Sequence, residues 1–234
     1  MENHSEWRAK LAFLCYLALA AGLFVGSFIL AIILFGLGLD FQELPFPLAL
    51  VSLPITEGII LGITLLFANY KGASLRKLGL KKPSLKIIVI VSVAAVLLLF
   101  LAGSISLVEE TVLGPDPEAE SLTEALLPRN GVQLVALIGI LLALVGPVEE
   151  LAFRGFVQRG FENSFGKTAG LVIASVLFGL LHGLNSLRSI LPVTVASLFL
   201  GYIWQKTDGN TIATAWLHGL YDAITITIAF FAYA

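Results

Sequence analysis

From Leu11 to Leu39 the chain carries no charged side chain, and the same holds from Ile87 to Val108 and from Asn130 to Val148. As helices rising about 1.5 Å per residue, these stretches cross most or all of a hydrocarbon layer roughly 30 Å thick. Helices, rather than a barrel, therefore carry the fold. Composition agrees: 58% of residues are hydrophobic and 13% charged, against about half and a quarter in an ordinary soluble domain. The expectation is an all-α, polytopic transmembrane helical bundle of about seven spans. They fall near 11–38, 46–69, 87–108, 131–160, 168–186, 189–205 and 210–232. The first is much longer than the roughly 7–15 residue apolar region of a cleaved signal and reads as a retained span. The fourth is long enough to project beyond the bilayer or to break near Gly146-Pro147, where proline removes a backbone hydrogen bond.

The chain divides into N-terminal spans 1–3 (residues 1–108), an acidic connection (109–130) and a C-terminal helical core (131–234). The connection contains Pro115, Pro117 and Pro128 among acids and reads as a solvated segment and a partial lid. A net charge of −2 with no basic stripe gives nothing for nucleic acid to bind. Cys15, the only cysteine, lies in the first span and reads as a small buried apolar residue. With the N-terminus inside, 12 of the 14 lysines and arginines fall on the cytoplasmic half, leaving Arg129 and Arg188 outside. That excess predicts an integral protein of the cell membrane with a cytoplasmic N-terminus. The Lys71–Lys86 loop reads first as a retention signal, and membrane lipids are its nearest partners.

Against this background the acids inside the spans stand out, because an ionisable group in lipid costs a few kcal/mol or more and marks a functional site by default. Glu149 and Glu150 are adjacent in the fourth span. Helical spacing puts Glu150 on the face of Arg154 and points Glu149 elsewhere, leaving Glu149 free to act as a base on water. The plain alternative is that both acids neutralise Arg154, although one would suffice. His182 follows Phe178 by one turn, and His218 shares a face with Asp222. A lone intramembrane histidine is often a packed residue bonded to a carbonyl, whereas two beside three acids weaken that reading. His4, in the polar tail, has no assigned role. Measured from the loop after Glu162, Glu149 and His182 lie about 21 and 24 Å deep. Asp222 and His218 lie about 20 and 14 Å beyond Gly209, so the four can meet if their helices are neighbours. Glu57, in the second span, remains outside this scheme.

Taken in order, Glu149-Glu150-Leu-Ala-Phe-Arg154, Phe178-Gly-Leu-Leu-His182 and His218-Gly-Leu-Tyr-Asp222 resemble the CPBP family. These are the CAAX proteases and bacteriocin-processing enzymes, also called the Abi family, with the pattern EExxxR, FxxxH, HxxxN/D. The resemblance covers about Val132 to Ala229. Glu109-Glu110 has paired acids without the arginine and serves as an internal control. The resemblance implies an intramembrane endopeptidase acting on a lipidated or membrane-bound peptide. In it Glu149 and His182 would activate water, His218 and Asp222 would stabilise the oxyanion, and Glu150 and Arg154 would be structural. Because an ionised carboxylate cannot donate to an oxyanion, Asp222 instead orients His218, keeps a proton or helps to hold a metal. His182, His218 and Glu149 would make an acceptable zinc set with one open position, but HExxH is absent and the favoured reading requires no cofactor. Two other classes compete: a non-catalytic immunity or scaffold protein, and a small transporter using Glu57, Glu149, His182 and His218. No inverted repeat supports the transporter.

Overall fold

The computed structural model describes residues 6–38 and 46–233, and His4 lies outside them. Among the described residues there are helices and connections but no strand. We number the helices α1 (Ala9–Gly36), α2 (Phe46–Tyr70), α3 (Leu85–Leu113), α4 (Pro117–Leu126), α5 (Gly131–Phe165), α6 (Lys167–His182), α7 (Ile190–Lys206) and α8 (Thr211–Ala232). Six are long and apolar enough to cross a membrane, the count for α7 including the 3-10 turn Leu187–Ser189 before it. The expected fifth span is α6, which is apolar but only 16 residues long. The protein is an integral membrane helical bundle.

Helix starts follow local chemistry. Asn130 accepts from the Gln133 amide at 3.0 Å and Asn210 from the Ala213 amide at 3.1 Å, opening α5 and α8. Each satisfies an N–H that the first turn leaves without a helical partner. α3 runs on to Leu113, and part of the expected solvated connection forms α4. The Asp116 side chain caps α4 and Pro117 occupies its first turn, so a short polar segment still nucleates a helix. α5 does not break at Pro147. Instead its turns widen to π-helix at Leu141–Val145 and Leu151–Gln158, on either side of Gly146–Glu150. Such widened turns absorb an irregularity without ending the helix and recur at functional sites.

α5 is the axis of the bundle. Trp7, Phe153, Phe156 and Phe178 belong to a core shared by α1, α5 and α6. Val91, Leu98, Leu200 and Leu217 form a second core between α3, α7 and α8. The Trp7 indole donates to the Phe156 carbonyl at 2.7 Å, and the Ala9 amide to Ser164 Oγ at 2.8 Å, fastening the start of α1 to the end of α5. On that same side the Thr211 amide donates to the Gly79 carbonyl at 2.9 Å and Lys81 Nζ to the Asp208 carbonyl at 2.6 Å. At the opposite end Arg188 donates to the carbonyls of Leu113, Gly114 and Pro115 at 3.3, 2.6 and 3.0 Å, capping α3. The lysine-rich connection and the two outlying arginines thus sit at opposite ends of the bundle.

Candidate active site

The site is built where α5 and α8 cross with almost no side chain between them. A β-carbon on Gly146 would lie 2.8 Å from the Ala215 carbonyl oxygen, and one on Gly219 would lie 2.8 Å from that of Leu141. Backbone this close leaves room for glycine alone. The crossing brings His218, next to Gly219, up to the paired glutamates. His218 Nδ1 lies 3.1 Å from Glu150 Oε1. A carboxylate can only accept, so Nδ1–H is the donor and Nε2 is the nitrogen left for other partners. That nitrogen is 3.8 Å from Glu149 Oε2 and 3.5 Å from Asp222 Oδ2.

Behind this group lies a sealed ion pair. Arg154 Nε is 3.2 Å from Glu150 Oε2, with the two side chains 1% and 0% exposed. Neither atom meets hydrogen-bond geometry with a partner, so the contact is ionic. Arg154 Nη2 also donates to Ser197, to its carbonyl at 3.2 Å and its hydroxyl at 3.1 Å. The guanidinium lies 5.1 Å from the centre of the Phe178 ring, a cation–π position. The groups on the other side of this pair are more open: Glu149, His218 and Asp222 have side chains 14%, 10% and 23% exposed.

His182 ends α6 and joins this group through Phe178. Its ring centre is 4.5 Å from that of Phe178, whose own centre is 6.3 Å from that of His218. His182 Nδ1 donates to the Phe178 carbonyl at 3.0 Å, which leaves Nε2 as its free nitrogen. His182 also lies within electrostatic reach of Asp222. The six residues singled out by sequence therefore gather in one region, with Glu149, Glu150 and Asp222 directly around His218. Sequence reasoning missed the bond from His218 to Glu150, which makes Glu150 an anchor for two partners rather than one. It gave Glu57 no place in the peptidase scheme, although α2 brings it within electrostatic reach of Glu149, His218 and Asp222. The signal was available, since an acid inside an apolar span is itself conspicuous.

Donor geometry bears on zinc. Among the described residues, no three or more His, Cys, Asp or Glu side chains are placed to hold a metal ion. The trio of His182, His218 and Glu149 is not gathered into such a set: His218 Nε2 faces Glu149 and Asp222, while His182 makes its contacts with the ring and carbonyl of Phe178.

Residues 131–224 match the family described as Rce1-like, Type II CAAX prenyl endopeptidase Rce1-like. That match is consistent with the CPBP and Abi resemblance of the three motifs. It takes in α5 to α7 and most of α8, and leaves α1 to α4 outside. No curated protein and no solved structure matches the chain.

Proposed function

We propose that the protein is an intramembrane endopeptidase of the CAAX-processing type, cleaving a lipidated or membrane-bound peptide. The supporting observation is the partly open group of Glu149, His218 and Asp222 among apolar helices, with Glu150 and Arg154 sealed behind it. Glu149 takes a proton from water as its oxygen adds to the scissile carbonyl carbon. His182 Nε2 orients that water by accepting its other hydrogen. His218, protonated, donates Nε2–H to the developing oxyanion while Glu150 holds Nδ1. Asp222 orients the same imidazole, a role open to a carboxylate that cannot itself donate. As the tetrahedral intermediate collapses, the C–N bond breaks and Glu149 returns its proton to the leaving amine. No step requires a metal. The same reading places the N-terminus in the cytoplasm of a cell with this protein in its cell membrane, in accord with the lysine and arginine bias.

The test is cleavage of lipidated and unlipidated peptides by purified protein in detergent, wild type beside Glu149→Gln, with and without chelator. Cleavage lost in a folded Glu149→Gln protein and unaffected by chelator supports the reading. Cleavage retained by that variant refutes Glu149 as the base. Loss on chelation restored by zinc replaces the metal-free route, and absence of any cleavage moves weight to the immunity or scaffold alternative.

A further inference from the structure

Glu57 is the one acid of the cluster that neither the motifs nor the reaction above employs. It is 2% exposed, and its Oε2 is buried without a hydrogen-bond partner. Its position is fixed by helical spacing: Glu57, Ile60, Thr64 and Ala68 are the buried stripe of α2, and α2 packs along α5 on both sides of the glutamate pair. Glu57 thereby comes within electrostatic reach of Glu149, His218 and Asp222 while belonging to a helix outside the matched segment. Each neighbouring carboxylate has at least one oxygen facing a cationic or imidazole partner. Glu150 faces Arg154 and His218, and Glu149 and Asp222 each turn an oxygen to His218 Nε2.

A peptide must be extended to be hydrolysed, and in lipid an extended strand carries N–H groups that neither water nor its own carbonyls satisfy. A site that accepts such a strand has to supply acceptors. We propose that Glu57 is a substrate-binding residue whose unpartnered oxygen accepts a hydrogen bond from a backbone N–H of the peptide beside the scissile bond. This rests on the peptidase reading and deepens it: the substrate is bound as an unwound strand between α2 and α5. Access comes through α2 itself. Pro54, one turn before Glu57, leaves the helix without one backbone hydrogen bond, and β-carbons at Gly58 and Gly62 would meet nothing within 4 Å. The helix therefore has a point at which it can bend and, at Gly58 and Gly62, an outward face with nothing packed on it to oppose that movement.

The experiment measures binding of a fluorescent substrate peptide to the full-length protein in detergent, in a Glu149→Gln background so that nothing is cleaved. Peptides N-methylated at one amide at a time across the cleavage region are compared with the parent. The expected result is that one N-methyl position weakens binding about tenfold, roughly 1.4 kcal/mol, when residue 57 is Glu. The penalty persists in Glu57→Gln, which keeps an acceptor oxygen, and disappears in Glu57→Leu. Glu57→Met replaces the leucine variant if the latter does not fold. A penalty that survives in Glu57→Leu, or that Glu57→Gln also removes, overturns the inference, the second outcome by making it a matter of charge. Cleavage by the wild type with no penalty that depends on Glu57 overturns it while leaving the peptidase intact. Absence of both binding and cleavage overturns the two together.

Discussion

Replacing Arg154 by methionine keeps the volume of an unbranched stem and removes the charge. The loss falls on Glu150, whose side chain is fully buried and whose Oε2 sits 3.2 Å from Arg154 Nε. His218 Nδ1 and the Thr214 side chain would be its remaining partners. Removing one member of a buried pair costs about 3–5 kcal/mol, because the other charge is stranded out of water. For a chain of this length roughly 2–4 °C accompanies each kcal/mol, so the unfolding midpoint should fall by about 6–20 °C. Glu150→Gln alone should cost a comparable amount by stranding Arg154. The double variant strands no charge, and the amide carbonyl that Glu150→Gln introduces can still accept from His218. Its loss should be far smaller than the sum of the two, with a coupling energy at or above the upper end of the roughly 0.5–3 kcal/mol usual for interacting neighbours. The assay is thermal unfolding in one detergent, followed by circular dichroism on all four proteins. Additive losses, or a double variant weaker than either single one, would refute the idea that mutual compensation keeps these charges in lipid.

Other outcomes follow from the same contacts. Gly219→Ala should lose about 1–3 kcal/mol and separate His218 from Glu150, because the new methyl meets the Leu141 carbonyl and the facing backbone cannot yield. Gly62→Ala, facing open space, should be neutral or gain up to about 1 kcal/mol; midpoints for the pair check the crossing of α5 and α8. His182→Ala should abolish cleavage while leaving stability within about 1 kcal/mol of wild type, since its ring is partly exposed and its carbonyl bond is local. Asp116 offers a pH test outside the spans. The Ser186 hydroxyl donating to it, the first amides of α4 and nearby Arg188 hold its carboxyl below the ordinary 3.8. A group depressed in the folded state adds stability above its unfolded pKa and loses it as pH falls through the folded one. Protection of the α4 amides, corrected for their intrinsic exchange rates, should therefore fall on acidification below that range in wild type. Asp116→Asn, still a good cap but unable to titrate, should show a flat profile there.

The helices were legible because uncharged apolar runs leave the backbone little choice. The face shared by Glu150 and Arg154, and that shared by His218 and Asp222, were legible for the same local reason, being one turn apart. What local spacing cannot supply is which helices are neighbours. The bond from His218 to Glu150 depends on Gly146 and Gly219 meeting across two helices, and either glycine alone is an ordinary residue of an apolar span. The widened turns beside Glu149 escaped because Gly146-Pro147 points to a break at one place, whereas the helix widens on either side of it. α4 escaped because its Asp-Pro start, a sound capping signal, lies in a stretch whose prolines and acids read as a solvated connection.

The start of α1 is held firmly, through Trp7 and Ala9 on α5, and its buried residues Ala12, Cys15, Tyr16 and Leu19 all lie in its first half. Beyond Leu19 only Leu34 is buried, while Phe24, Phe28, Ile32 and Phe35 face outward. Gly22 and Gly26 still lie closely against Ile63 and Ile59 of α2, so the helix is a cantilever only beyond Gly26, with most of its last turns facing lipid. Its far end should respond to the thickness of the surrounding bilayer more readily than its clamped start, tilting where the membrane thins and straightening where it thickens.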